Sequence, residues 1–138
     1  MSEFRGLIVA VSGPSGVVVG EIVKRLGIPS SLFLLHEPLG YLEFGWLTAH
    51  ARGIITDSGN VAEEATFNGV PCITLNSYTE HIETVKVGTN VLVGEDAELL
   101  GEMVGKMVRG EWKPSSLPDR WDGRSAERIV QILMEMKH

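Results

Sequence analysis

Short apolar runs rich in β-branched residues alternate along this chain with longer segments in which apolar residues recur at helical spacing. The first run, Leu7–Ser12, is almost continuously apolar, as expected of a strand buried on both faces. Further strands are predicted over Leu32–Leu35, Gly53–Thr56, Pro71–Leu75 and Thr89–Val93. Helices are predicted over Val17–Leu26, Tyr41–Ala51, Val61–Asn68, the segment from the capping residue Asp96 to Val108, and Gly123–Met136.

This alternation indicates right-handed strand–helix–strand units. The predicted fold class is therefore α/β: a single Rossmann-like domain over residues 1–138, with a parallel sheet and helices on both faces. Residues 110–121 form a connector to the final helix, 123–136, which is expected to bury one apolar stripe. The stripe consists of Ala126, Ile129, Val130 and Leu133.

Composition narrows the function classes. The chain has 12 Lys and Arg against 18 Asp and Glu, a net charge of −6, which argues against nucleic-acid binding. One cysteine, Cys72, cannot form an intrachain disulfide and favours a reducing compartment. The apolar runs are far shorter than a membrane span, and Met1–Arg5 has no signal-peptide pattern, so a cytoplasmic protein without membrane contact is expected.

The turn Asp57–Asn60 is the most informative segment. A strand leads into a Ser-Gly turn that opens a helix, where backbone N–H groups and the helix dipole suit a phosphate. Gly59 permits close approach of a ligand, and Glu64 could accept hydrogen bonds from ribose hydroxyls. The alternative, favoured by spacing alone, is that Asp57 and Ser58 only cap the helix while Glu63 and Glu64 form a solvated face.

His81 stands between two carboxylates, Glu80 and Glu83. One interpretation is acid–base chemistry or contact with an anion. The other, favoured without further evidence, is a helix start in which Thr79 is the cap and both glutamates lie in the first turn.

Other segments carry little chemistry of their own. Gly13-Pro14-Ser15-Gly16 lacks the Lys followed by Ser or Thr of a phosphate-binding Walker loop, and we interpret it as a strand–helix turn. Trp46, Trp112 and Trp121 are too scattered for a stacking platform, and Cys72 fits a core position. His, Cys and carboxylate residues do not have metal-ligand spacing, so neither a metal nor a cofactor is expected.

Several weak motifs gain specificity from their order and spacing. They are Pro38–Phe44, Thr56–Gly59, Glu63–Ala65, Gly69–Pro71, Thr79–Glu83, Gly88–Gly94 and Asp122–Ile129. Together they resemble the carboxyl-terminal half of the non-hydrolysing UDP-N-acetylglucosamine 2-epimerase family, isomerases that interconvert UDP-GlcNAc and UDP-ManNAc. The likeness covers most of the chain and is strongest between residues 38 and 94.

The resemblance implies an active site in the cleft between two Rossmann-like domains, of which the carboxyl-terminal one holds UDP. It places Phe44 beside the uracil, Ser58 and Gly59 at the diphosphate, and Glu64 at the ribose. His81 stands where family members usually carry a phosphate-binding arginine. The family's catalytic acids and histidine lie in its amino-terminal half, so the resemblance assigns no catalytic residue to this chain.

The sequence departs from the family at several ligand positions. A second arginine is replaced by Asn76, and the Gln before the paired glutamates is Ala62. The second glycine of the usual Gly-Gly is Asn60, and a His-Pro pair is missing around Ser12–Pro14. These changes weaken the cationic and polar character of the expected site.

Two functions follow. The first is a UDP-sugar-binding half of an epimerase, inactive alone and completed by a separately encoded amino-terminal half; an adjacent reading frame for that half would favour it. The alternative is a non-catalytic, stand-alone UDP-sugar-binding or assembly domain with a degenerate site. The start Met1-Ser2-Glu3 favours a natural chain over an excised fragment. In either case the ligand is UDP or a UDP-N-acetylhexosamine, and the apolar stripe of the last helix predicts a homo-oligomer or a partner.

Overall fold

A computed structural model describes residues 39–136, the strand Leu7–Ala10, and the separate positions Arg25 and Gly27. The predicted strand over residues 32–35 and the turn over residues 13–16 lie outside the described residues. So does the predicted helix over residues 17–26, apart from Arg25, which is helical.

Within the described residues, four parallel strands form the sheet. They are β1 (Leu7–Ala10), β2 (Gly53–Thr56), β3 (Cys72–Thr74) and β4 (Asn90–Leu92), and they lie side by side in chain order. Ile8 is paired with Ile54, Ile55 with Ile73, and Thr74 with Leu92. The predicted parallel sheet is confirmed, and β3 and β4 each lose one predicted residue at either end.

Five helices lie among the described elements. They are α1 (Tyr41–His50), α2 (Gly59–Asn68), α3 (Ile82–Lys86), α4 (Ala97–Arg109) and α5 (Ser125–Glu135). Asp96 caps α4 as predicted, its carboxylate accepting a hydrogen bond from the Leu99 N–H at 3.0 Å. Gly69 ends α2 with a left-handed φ of 70°, the conformation that favours glycine at this position. α2 begins two residues earlier than predicted, because the Ala62 N–H already bonds to the Ser58 carbonyl at 3.2 Å.

The core lies on both faces of the sheet. One cluster consists of Ile54, Ala62, Ala65, Val70 and Cys72. The other consists of Ile73, Val93 and Met107, with half-buried apolar residues of α4 packed against it. Consecutive residues Cys72 and Ile73 belong to different clusters because side chains alternate along a strand. α2 and α4 therefore cover opposite faces, which confirms the predicted fold class.

The connector after α4 is fastened to the sheet by two side chains. The indole N–H of Trp112 donates to the Thr89 carbonyl at 2.7 Å. The Lys113 ammonium donates to the carbonyls of Val85 and Asn90, both at 2.6 Å, and burial lowers the pKa of Lys113. These bonds hold the connector against the start of β4 and the end of α3.

The final helix departs from the prediction. Ile129, Val130 and Leu133 are 57%, 55% and 60% exposed, and Ala126 is exposed as well, so the predicted burial of this stripe is wrong. α5 is instead tethered at its start by an ion pair between Asp122 and Arg128 at 2.5 Å. Amphipathic spacing identifies the apolar face of a helix but does not determine what covers that face.

Candidate functional site

The candidate site is at the carboxyl ends of β2 and β3, where ligands bind in open α/β sheets. The segment after β2 and the segment after β3 lie next to each other at this edge. The Asn76 side-chain amide donates to the Asp57 carbonyl at 3.0 Å, and the Leu75 N–H donates to the Thr56 carbonyl at 2.9 Å. Asn76 therefore joins the two segments.

The first of these segments presents the amino terminus of α2. The Ser58 N–H donates to the Thr56 hydroxyl at 3.0 Å, which fixes the backbone just before the helix. Ser58 is the N-cap residue, yet its side chain makes no capping hydrogen bond. Simple capping by Ser58 is thus not the role that the structure gives it. The helix presents its N–H groups and positive dipole end here.

His81 lies directly against this helix terminus. A Cβ atom added at Gly59 would come within 2.5 Å of the His81 Cδ2 and 2.7 Å of its Nε2. The other ring nitrogen, Nδ1, is 2.5 Å from the Oε1 of Glu63, one turn along α2. Three of the predicted site residues, Ser58, Gly59 and His81, therefore meet at one place, although His81 is far from the other two in sequence.

The backbone of His81 is fixed as well. Its N–H donates to the Thr79 hydroxyl at 3.0 Å, and its carbonyl accepts from the Thr84 hydroxyl at 2.7 Å. The predicted alternative, a helix capped by Thr79, is wrong in its position: α3 begins at Ile82, and His81 is the N-cap residue. The backbone at His81 is not helical. The hydroxyl of Thr79 does not cap the helix but stabilises the turn that precedes it.

A series of buried side-chain hydrogen bonds, the buried chain, connects this arrangement to the sheet. The Thr74 hydroxyl donates to the Asn90 side-chain carbonyl at 2.5 Å, and the Asn90 amide donates to the Thr84 hydroxyl at 3.1 Å. All three side chains are almost fully buried. The chain links β3 and β4 to α3 and so to the His81 carbonyl.

Glu64 borders a second part of the site. An open hollow of about 300 Å³ lies along α2 and is lined by Glu63, Glu64, Phe67 and Trp121. Carboxylates beside aromatic faces suit a group that carries both hydroxyls and a ring. Trp121 and Glu63 were missed as site residues. The spacing of Glu63 from Gly59, one helical turn, could have indicated it, whereas the distant Trp121 gives no such signal.

Phe44 lies on α1, which packs against α2. Phe44 is half-buried, and its carbonyl accepts a hydrogen bond from the Thr48 hydroxyl at 3.0 Å. The same helix exposes Trp46, stacked on His50 with ring centroids 4.2 Å apart. The structure thus places Phe44 on a neighbouring element rather than in the cluster formed by Ser58, Gly59 and His81.

Neither a cluster of metal-ligating side chains nor a membrane-spanning helix occurs in the described part of the chain. Among residues 39–136, no three His, Cys, Asp or Glu side chains are grouped so that they could hold a metal ion. No helix described in the structure has the length and apolar character needed to cross a membrane.

Comparison with known proteins gives a consistent result. The family model described as UDP-N-acetylglucosamine 2-epimerase matches residues 8–134. The UDP-N-acetylglucosamine 2-epimerase of Methanocaldococcus jannaschii is 48% identical over 104 residues, which are 74% of this chain and 27% of that protein. The UDP-2,3-diacetamido-2,3-dideoxy-D-glucuronate 2-epimerase of Pseudomonas aeruginosa is 33% identical over 119 residues, 83% of this chain and 32% of that protein.

The fold agrees with a solved member of the family. The structure of the M. jannaschii UDP-GlcNAc 2-epimerase in complex with UDP-GlcNAc and UDP superposes with a TM-score of 0.65 at 33% identity. The match covers 95% of this chain and 45% of that one. The chain therefore spans less than half the length of these relatives, and by the extent of the family match it belongs to the UDP-N-acetylglucosamine 2-epimerase family.

Proposed function

We propose that this chain binds the UDP moiety of a UDP-N-acetylhexosamine, as the UDP-binding half of an enzyme that interconverts UDP-GlcNAc and UDP-ManNAc. The observation that carries the proposal is the meeting of Ser58, Gly59 and His81 at the amino terminus of α2. A diphosphate there would receive backbone N–H groups and a histidine that can carry positive charge. The M. jannaschii relative solved with UDP-GlcNAc and UDP supports this ligand class.

The remaining parts of UDP fit along the same helix. Glu64 lies five residues beyond Gly59, roughly 7.5 Å along the helix axis, which is a suitable distance between a diphosphate and a ribose. Its carboxylate accepts hydrogen bonds from the ribose hydroxyls, while Phe67 and Trp121 offer apolar contact in the same hollow. Phe44 on the neighbouring α1 is assigned to the uracil.

Epimerisation needs more than a UDP site. Removing the proton at sugar C2 and releasing UDP, then returning UDP to C1 and a proton to the opposite face of C2, require acid–base groups placed at the sugar. We assign those groups to the amino-terminal half of the family fold, which the residues of this chain do not match. The chain then supplies the binding energy for UDP and holds the leaving diphosphate, and it turns over substrate only with that half present.

Calorimetric titration of the chain with UDP, UDP-GlcNAc and uridine tests the proposal. We expect micromolar binding of both diphosphates and much weaker binding of uridine. Glu64→Ala should weaken UDP binding by about 1.5–3 kcal/mol, the range for a hydrogen bond to a charged group. Glu98→Ala, the same substitution at an exposed glutamate of α4, is the control and should leave UDP affinity unchanged. Absence of binding at millimolar UDP would refute the proposed function.

A further inference from the structure

We infer that Glu63 is a positioning residue of the UDP site: it holds the imidazole of His81 so that Nε2, rather than Nδ1, faces the diphosphate. The inference rests on the proposed function. It assigns a role to a residue that the sequence places only in a solvated pair of glutamates. The contacts on both sides of the imidazole ring carry it.

Glu63 and Gly59 define the orientation of the ring between them. The Glu63 Oε1 lies 2.5 Å from Nδ1, close enough to favour a proton on that nitrogen. Nε2 lies on the opposite side, over the first residue of α2, where a Cβ at position 59 would be only 2.7 Å away. A ring nitrogen engaged by a carboxylate keeps its proton there, so Nε2 donates to the diphosphate when the ring carries its second proton and both nitrogens are N–H donors.

Histidine at this position needs such a partner. An arginine presents five N–H donors in a fixed fork and can grip a phosphate in several orientations. An imidazole has one nitrogen to offer once the other is bonded, and a ring flip would put the carbon Cε1 where Nε2 now lies. Glu63 prevents that flip, and the backbone bonds of His81 to Thr79 and Thr84 hold the ring's base in place.

The charges around His81 allow the positioning of the ring by Glu63 to be distinguished from a purely electrostatic effect of Glu63 on the ligand. Glu63 faces the ring from α2, while Glu80 and Glu83 flank His81 on its own segment and are exposed. A carboxylate near a diphosphate repels it, so removing Glu63 should strengthen binding if charge alone mattered. Positioning predicts the opposite result, provided that His81 is present.

A double-mutant cycle tests this inference. Four proteins are titrated with UDP: the wild type, Glu63→Ala, His81→Ala and the double variant. We expect Glu63→Ala to weaken binding about tenfold in the presence of His81, and to leave affinity unchanged or raise it in the His81→Ala background. Glu63→Gln keeps an oxygen acceptor for Nδ1 and should remain within about threefold of the wild type. Equal weakening in both backgrounds, or tighter binding by Glu63→Ala alone, would overturn the inference.

A second measurement does not depend on UDP. Nitrogen-15 NMR of the ligand-free chain at pH 9 reports which imidazole nitrogen of His81 carries the proton. We expect the proton on Nδ1 in the wild type and in Glu63→Gln, and its shift toward Nε2 in Glu63→Ala. The same tautomer in all three proteins would contradict the positioning role. If the wild type does not bind UDP, the proposed function fails, and this spectrum alone decides whether Glu63 orients the ring.

Discussion

Gly59 is the first residue of α2, and the imidazole of His81 lies directly over its backbone. The absence of a side chain at position 59 leaves room for this ring. A methyl group at this position would lie 2.5–2.7 Å from the ring, so the His81 side chain must turn away and give up its exposed contact with Glu63. We expect Gly59→Ala to keep or slightly raise stability, by up to about 1 kcal/mol, because alanine is the better helix former. UDP affinity should fall tenfold or more, since the displaced ring and the methyl group both obstruct the anion site.

Gly101→Ala provides the matched control for this variant. Gly101 lies inside α4, and a Cβ added there meets nothing within 4 Å. Denaturation and UDP titration of both variants separate the two effects: both gain helix propensity, and only Gly59→Ala should lose UDP. Unchanged UDP affinity in Gly59→Ala would show that the diphosphate does not approach this terminus.

Cys72 gives a second prediction at the scale of one residue. Burial raises the pKa of its thiol to about 12, while a hydrogen bond with Thr74 and the charge of Lys113 lower it only in part. Because the thiolate is the reactive form, almost none is present at pH 8. We expect iodoacetamide to leave the native chain unmodified for hours and to label it completely in denaturant. Fast labelling without denaturant would show that β3 opens in the native state.

Sequence reasoning predicted the individual site residues unevenly. Ser58, Gly59 and Glu64 belong to one turn and one helix, so a local pattern was enough to single them out. The pairing of His81 with Glu63 joins two segments that follow the neighbouring parallel strands β2 and β3, and a local pattern cannot show such a contact. Trp121 reaches the hollow beside Glu64 from the connector, which depends on the path of the whole chain.

Among the secondary-structure elements, α3 depends on the buried chain of Thr74, Asn90 and Thr84. Asn90→Ala would leave two buried hydroxyl groups without a bond that each now makes. We expect the free energy of unfolding to fall by about 1–3 kcal/mol, the cost of leaving buried polar groups unsatisfied. UDP binding should weaken as well, because Thr84 helps to hold the carbonyl of His81.

Urea unfolding measures the stability effect, with Asn68→Ala as the control. Asn68 is exposed at the end of α2, and its replacement should change stability by less than about 0.5 kcal/mol. A similar small change for Asn90→Ala would mean that water replaces the lost bonds and that the buried chain does not stabilise α3.

The elements themselves were largely predictable. The β2 bounds and the capping of α4 by Asp96 agree with the sequence pattern, because a buried strand and a capped helix are specified by neighbouring residues. The predicted burial of the apolar stripe of α5 was wrong, since the stripe could have packed on the sheet or elsewhere with the same sequence. An amphipathic pattern contains no information about that choice.

For the whole molecule, the exposed face of α5 raises the question of what covers it. Ile129, Val130 and Leu133 lie on this face, and each is more than half exposed. The relatives are two to four times as long as the matched region, so family members have further chain with which to cover such a surface. In a solution of this chain alone, the same face of α5 on a second copy of the chain is available to cover this surface.

We therefore expect the isolated chain to self-associate through α5. Light scattering at increasing micromolar concentrations should give a mass that rises from monomer toward dimer, because two copies of one patch pair symmetrically. Leu133→Glu places a charge in the middle of the face and should give a monomer, whereas Glu135→Gln near the end of the same helix should behave as the wild type. A monomer at every concentration would refute this prediction.

If association occurs, Trp121 and Asp122, which lead directly into α5, would be held more firmly in the dimer. UDP should then bind more tightly to the wild type than to Leu133→Glu, because ligand binding and association stabilise the same arrangement of the chain.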